Sequence, residues 1–166
     1  MFVLFKRLRD LRRLAALPAP AAGGGSLALR HVDCGSCNGC EHELTNTAGP
    51  HYDLDRFGLS IVASPRHADV LLITGSITTR MVEPLRAAYA AMPEPRLVAA
   101  LGDCALGAGV IGDPAQLAGS IDDILPVDIR IPGCPPTPAV IADALVTAID
   151  LARRPRGITP AVRRRA

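Results

Sequence analysis

The chain is nearly without aromatic residues: three Phe, two Tyr and no Trp, 3% of 166 residues. A core must therefore be assembled from Ala, Val, Leu and Ile, and a hydrophobic content of 49% is enough for one domain of ordinary size. Lysine is almost absent as well, Lys6 being the single one, so arginine carries the positive charge. Net charge is only +2, and no aromatics interleave with the basic runs at Lys6–Arg13, Arg153–Arg156 and Arg163–Arg165. Both features argue against nucleic acid as the main partner. No apolar run approaches the ~18 residues that span a bilayer. Arg12-Arg13 precedes only a short stretch, Leu14–Pro20, broken by two prolines, so a cytoplasmic rather than an exported protein is expected.

What the chain does contain is five cysteines: Cys34, Cys37, Cys40, Cys104 and Cys134. An odd number with three inside seven residues does not suit a disulfide framework and points to metal ligation or redox chemistry.

Three regions are expected. Residues 1–26 comprise a basic amphipathic helix, with Leu4, Leu8, Leu11 and Ala15 at helical spacing, and a Pro/Gly linker. Residues 27–153 form the α/β domain, and 154–166 a basic tail. Within the domain, strands are predicted at Leu27–Val32, Leu59–Ala63, Asp69–Thr74, Arg96–Leu101 and Val127–Ile131. Helices are predicted at Glu41–Thr47, Thr79–Met92 and Thr137–Arg153. Met81, Leu85, Ala88 and Met92 share one stripe; Ile141, Leu145, Ala148 and Ala152 share another. Asp69–Thr74 is a continuous apolar run of the kind that parallel strands buried on both faces show. This alternation predicts an open, mostly parallel α/β sheet.

On that sheet the cysteines fall just past the carboxyl ends of three strands: Cys34, Cys37 and Cys40 after the first, Cys104 after Arg96–Leu101, Cys134 after Val127–Ile131. Those ends share one edge, where α/β folds bind ligands. Gly35, Gly39, Gly102, Gly107, Gly109 and Gly133 crowd the same loops and permit close backbone N–H approach to sulfide. Pro132, Pro135 and Pro136 stiffen the loop around Cys134. Four thiolates are the usual complement of a cubane iron–sulfur cluster. Cys104 and Cys134 are isolated members of such a set. Cys37 and Cys40 have a two-residue spacing that brings both thiolates to one centre, but Cys34 and Cys37 share it, so spacing alone leaves the pair open. Zinc is the competing metal; its ribbons and fingers generally supply two local pairs, whereas this chain has one pair-like group and two singletons.

The motifs Cys37-Asn-Gly-Cys40-Glu-His-Glu43, Gly102-Asp-Cys104-Ala-Leu-Gly-Ala-Gly109 and Pro132-Gly-Cys134-Pro-Pro136 resemble the small subunit of nickel–iron hydrogenases and its homologue, the 20 kDa subunit of respiratory complex I. The resemblance covers roughly residues 27–152. It implies a flavodoxin-like α/β fold with one 4Fe–4S cluster at the edge of the sheet, ligated by Cys37, Cys40, Cys104 and Cys134 next to a large partner subunit. Complex I subunits normally carry adjacent cysteines in the first motif. The separated pair, with Cys34 added, looks like the membrane-bound, energy-converting hydrogenases of the formate hydrogenlyase type. Without the second cluster domain and export signal of uptake hydrogenases, the chain resembles the one-cluster, cytoplasm-facing branch. Implied partners are the large subunit, a ferredoxin-like iron–sulfur subunit and integral membrane subunits that hold the chain at the inner face of the cell membrane. A quinone-reducing, complex I-like role is the alternative, and a zinc-stabilised interaction module the remote one.

Glu43 resembles a glutamate beside the cluster in complex I homologues and is a candidate proton relay; a helix-start carboxylate paired with the helix dipole is the plainer account. His42 is read as surface or interface, and His31, His51 and His67 as structural. Cys34 is placed beside the cluster or at the partner interface, with direct ligation the lesser alternative.

Overall fold

The structure, a computed structural model, describes residues 25–152. The amphipathic helix and most of the linker, expected within 1–26, and the basic tail lie outside the described residues. Strands β1 (Leu27–Asp33), β2 (Leu59–Ile61), β3 (Val70–Thr74), β4 (Leu97–Leu101) and β5 (Ile129–Ile131) form one sheet. Every pairing is parallel, and the order is β2-β1-β3-β4-β5, the order of flavodoxin-type doubly wound sheets. The described residues include three α-helices: α1 (Gly39–Asn46), α2 (Val82–Ala91) and α3 (Pro138–Ala152).

The apolar strands explain why both faces are covered. β3 (VLLIT) and β4 (LVAAL) are buried at every position, and alternate residues point to opposite sides. Val70, Leu72, Leu97, Ala99 and Leu101 pack with Leu44 of α1 and Ile141 and Leu145 of α3. Leu71, Ile73, Val98 and Ala100 pack with Leu85 of α2 and with Ile77, Met92 and Ile121. The two predicted helical stripes are thus the buried ones. Pro138 opens α3, where a missing N–H costs no intrahelical bond.

Differences from the predicted elements have local causes. Thr79–Met81 is a 3-10 turn and α2 follows it, with Pro84 in its first turn, where the N–H it lacks would have had no helical partner. The predicted strands at Asp69 and Val127 begin at Val70 and Ile129. Asp69 and Asp128 instead use their carboxylates as acceptors for the backbone N–H of Ala28 and Val98, at 2.8 and 2.9 Å. Between β4 and β5 lie two 3-10 turns, Pro114–Gln116 and Ile121–Asp123, in place of a helix. Ile121 and Leu125 from this connection fill the second core.

Leu72 is fully buried in β3, so Leu72→Ala is expected to cost about 2–5 kcal/mol, the range for a leucine cavity in a well-packed core. Val110→Ala, at a site 93% exposed, is expected to change stability by less than about 0.5 kcal/mol. Denaturant unfolding of the two variants checks the pair; equal losses would contradict the core described.

Candidate metal centre

Asp33 pairs with Thr74, Thr74 with Leu101 and Leu101 with Ile131, so four neighbouring strands end level. The next residues are Cys34, Gly75, Gly102 and Pro132. The chain leaves β1 toward β2 and leaves β3 toward β4 on the other side, which opens the crevice that parallel sheets use for ligands.

The first cysteine loop must cross the end of β3 to reach β4. Asp33 Oδ1 starts the crossing by accepting the N–H groups of Gly35 and Ser36, both at 2.8 Å. Ser36 then lies directly on Gly75, whose φ is +79°; a Cβ there would stand 2.5 Å from the Ser36 nitrogen. Only glycine meets both demands. Asn38, at φ 66°, turns the chain into α1, which begins at Gly39 and not at the predicted Glu41, so Cys40 belongs to the first helical turn. Its Sγ lies at the end of β4: a Cβ on Gly102 would meet that sulfur at 2.5 Å. Asp103 ties the other two loops together. Its N–H donates to the Gly133 carbonyl at 2.9 Å, and its Oδ1 accepts from the Gly133 N–H at 2.7 Å.

Cys37 and Cys134 are exposed, Cys40 and Cys104 half-buried, and Cys34 buried. Burial pushes the Cys40 thiol up to about 12, with Glu41, Cys104, Cys37 and Cys134 adding to the shift. Burial also raises Cys104, the Ser76 hydroxyl pulls it back by hydrogen bonding, and Cys134 and Cys37 push it up again. These four thiols, from three loops, therefore lie within one another's electrostatic reach. Cys34 is held apart in the second core with Leu71, Ile73 and Ile77, its thiol pushed up to about 12 by burial and by Asp33. Among the described residues, no three His, Cys, Asp or Glu side chains converge closely enough for a single metal ion. The soft, all-sulfur donor set of these four residues, with the close approach of the Cys40 sulfur that glycine at 102 permits, suits an iron–sulfur cluster.

Beside the rim, the first-turn carboxylate of α1 is Glu41; Glu43 sits beyond that turn, so the helix-dipole account applies to Glu41. Both Glu41 oxygens are buried without a hydrogen-bond partner among the described residues, 3.7 Å separating Oε1 from His31 Nε2. That His31 nitrogen is 2.8 Å from Thr74 Oγ1, and burial lowers the His31 pKa against the opposing charges of Glu41 and Asp33. His42 is exposed. Gly75, Ser76 and Glu41 were not singled out from the sequence. The first two follow a strand directly, as the cysteine loops do, and that position was the available signal.

The domain is a parallel α/β unit that presents a four-cysteine rim at the carboxyl edge of its sheet. The chain belongs to the family described as NADH ubiquinone oxidoreductase, 20 Kd subunit, whose pattern matches residues 37–148. It is 42% identical over 138 residues to the "Probable membrane-bound hydrogenase subunit mbhJ" of Pyrococcus furiosus, covering 82% of this chain and 83% of that one. It is 45% identical over 126 residues to formate hydrogenlyase subunit 7 of Escherichia coli, covering 76% of this chain but only 49% of the longer relative. Among solved structures, a chain of the membrane-bound sulfane sulfur reductase, an archaeal respiratory membrane complex, superposes with a TM-score of 0.66. Identity there is 28%, over 89% of this chain and 76% of the other.

The burial order predicts how the metal-free chain meets a thiol reagent. At about pH 8, iodoacetamide is expected to modify Cys37 and Cys134 in the folded chain and to reach Cys34 only in denaturant, as mass spectrometry would show. The raised Cys34 pKa has a consequence of definite sign. Its neutral thiol favours the folded state below about pH 9, and that advantage fades as pH climbs toward 12. Cys34 labelling as fast as Cys37 in the native chain would contradict this burial.

Proposed function

We propose that the chain is the electron-transfer small subunit of a membrane-associated, hydrogenase-like complex of the formate hydrogenlyase type, holding a single 4Fe–4S cluster on Cys37, Cys40, Cys104 and Cys134. The observation that carries this reading is the gathering of these four thiols, and not Cys34, around one rim. When bound, such a cluster supplies reversible one-electron storage. The chain's own residues supply the rest. Level strand ends bring the three loops together, Asp103 locks two of them to each other, and Gly102 leaves room for the Cys40 sulfur. Burial, with Glu41 and the neighbouring thiols adding, holds the Cys40 thiol protonated, and a cluster bound there would supply the positive charge that favours the thiolates.

Exposure of Cys37 and Cys134 leaves the rim open on the side where a large subunit would dock. One cluster makes no long wire, so a ferredoxin-like iron–sulfur subunit on one side and the large subunit on the other complete the electron path. No helix among the described residues is long and apolar enough to cross a membrane. Attachment to the inner face of the cell membrane is assigned to integral partner subunits, which agrees with relatives named for membrane-bound complexes. Glu43 stands as a candidate proton relay near the large subunit.

The family description favours a second reading, the 20 kDa subunit of a quinone-reducing complex I-like enzyme. The separated pair Cys37-x-x-Cys40 and the relatives named as a membrane-bound hydrogenase subunit and a formate hydrogenlyase subunit favour the first. Two C-x-x-C pairs in the partner large subunit would indicate nickel–iron chemistry and decide between them.

Replacing Cys37, Cys40, Cys104 or Cys134 singly by Ser is expected to abolish the cluster's electron paramagnetic resonance signal in the anaerobically purified complex. Cys34→Ser is expected to keep it. A signal that survives Cys104→Ser but disappears with Cys34→Ser would overturn the assignment.

A further inference from the structure

Charge is divided unevenly along the chain. Residues 25–152 hold fifteen Asp and Glu against seven Arg, a net charge of −8. Residues 1–24 hold five basic residues against Asp10 alone, and residues 153–166 hold six Arg and no acid, so the flanks carry +4 and +6. The topology sends both flanks to one side. The first joins the domain at the amino end of β1, where the Leu27 N–H donates to the Gly58 carbonyl at 2.8 Å and Gly25 lies against Gly58. The second follows α3, which returns antiparallel from the carboxyl end of β5 over 15 residues, about 22 Å, and so ends at the amino edge of the sheet. Both therefore leave from the edge opposite the cysteine rim. Three carboxylates at that edge are already engaged: Asp69 and Asp128 accept the N–H groups of Ala28 and Val98, and Glu94 pairs with Arg96 at 3.1 Å. The exposed large hydrophobics among the described residues lie toward the other edge. Ile61 ends β2, Val110 and Ile111 are on the loop that follows Cys104, and Val140 stands in the first turn of α3.

We infer that the two basic flanks together dock the chain directly onto a bilayer that contains anionic lipid, from the amino edge of the sheet. This deepens the membrane-associated reading and rests on it, but not on the cluster. The six arginines between Arg153 and Arg165 offer the dense positive charge that anionic headgroups attract, in a field that reaches only a Debye length, about 8–10 Å. Residues 1–24 add Phe2, Leu4, Phe5, Leu8 and Leu11 interleaved with basic residues, the pattern of segments that lie in the headgroup layer. An acidic domain is itself repelled by such a surface, so the attraction comes from the flanks. Folding back onto the amino edge would neutralise charge but would offer these apolar groups no exposed large hydrophobic among the described residues. A bilayer meets both demands. Contact opposite the rim also leaves the cysteines free to face a large subunit.

The test is co-sedimentation of the anaerobically purified full-length chain with vesicles of phosphatidylcholine, alone or with about one third phosphatidylglycerol. The expected result is binding to the anionic vesicles and not to the neutral ones, lost as salt rises from about 50 to about 500 mM. Replacing Arg153, Arg154, Arg156, Arg163, Arg164 and Arg165 together by Gln is expected to weaken binding by more than about a hundredfold, whereas Lys at the same six positions keeps it. Leu4→Gln combined with Leu8→Gln is expected to weaken it about tenfold. Equal binding to both kinds of vesicle, no binding to the anionic ones, or full binding by either glutamine variant overturns the inference and leaves attachment through integral subunits standing. A chain that holds its companion subunits through these arginines and binds no vesicle overturns it in favour of an acidic protein partner. A complex recovered entirely in the soluble fraction of cells would overturn the membrane reading as well.

Discussion

Asp33, Thr74, Leu101 and Ile131 stand side by side across four hydrogen-bonded strands, and the loops that carry chemistry all leave from that line. A slip of one residue in any strand would turn its core side chains to the opposite face, so burial of both faces fixes the register. Register in turn fixes where the loops begin. The apolar strands β3 and β4, which contribute most to the two cores, therefore determine how far apart the cysteine loops stand, although only one of these strands is followed by a cysteine. Stability and site geometry are the same constraint seen at two levels.

The rim works against its own charges. Thiols brought together and half-buried resist ionisation, as the upward shifts of Cys40 and Cys104 show. Nearby carboxylates sharpen this: Glu41 raises Cys40 further, and Asp103 adds to Cys104. Such an arrangement is costly for bare thiolates and favourable around a cation-rich cluster. Buried Cys34 experiences the same desolvation but no sulfur neighbour among the causes of its shift, and packs as a small apolar residue.

Much of this was legible in the sequence because it depends on periodicity and position. All five strands, the inward stripe of α3 and the placement of every cysteine past a strand end follow from apolar patterning and from counting residues. What was not legible depends on contacts between segments far apart in the chain. The two-residue spacings of Cys34, Cys37 and Cys40 are identical, and only the fold separates a buried Cys34 from the rim. The α1 start at Gly39 depends on the left-handed turn at Asn38, which no apolar pattern signals. Gly75 matters because Ser36 crosses it, and Ser76 because the Ile111 carbonyl reaches it from another loop. The connection from residue 102 to 128 lacks helical periodicity because it forms 3-10 turns around single anchors such as Ile121.

Metal analysis tests the account most directly. The full-length chain is produced anaerobically with its companion subunits, separated from them anaerobically, and assayed for iron, acid-labile sulfide and zinc. The account predicts about four iron and four sulfide per chain and no stoichiometric zinc. A colourless chain that carries zinc, or no metal, would contradict it.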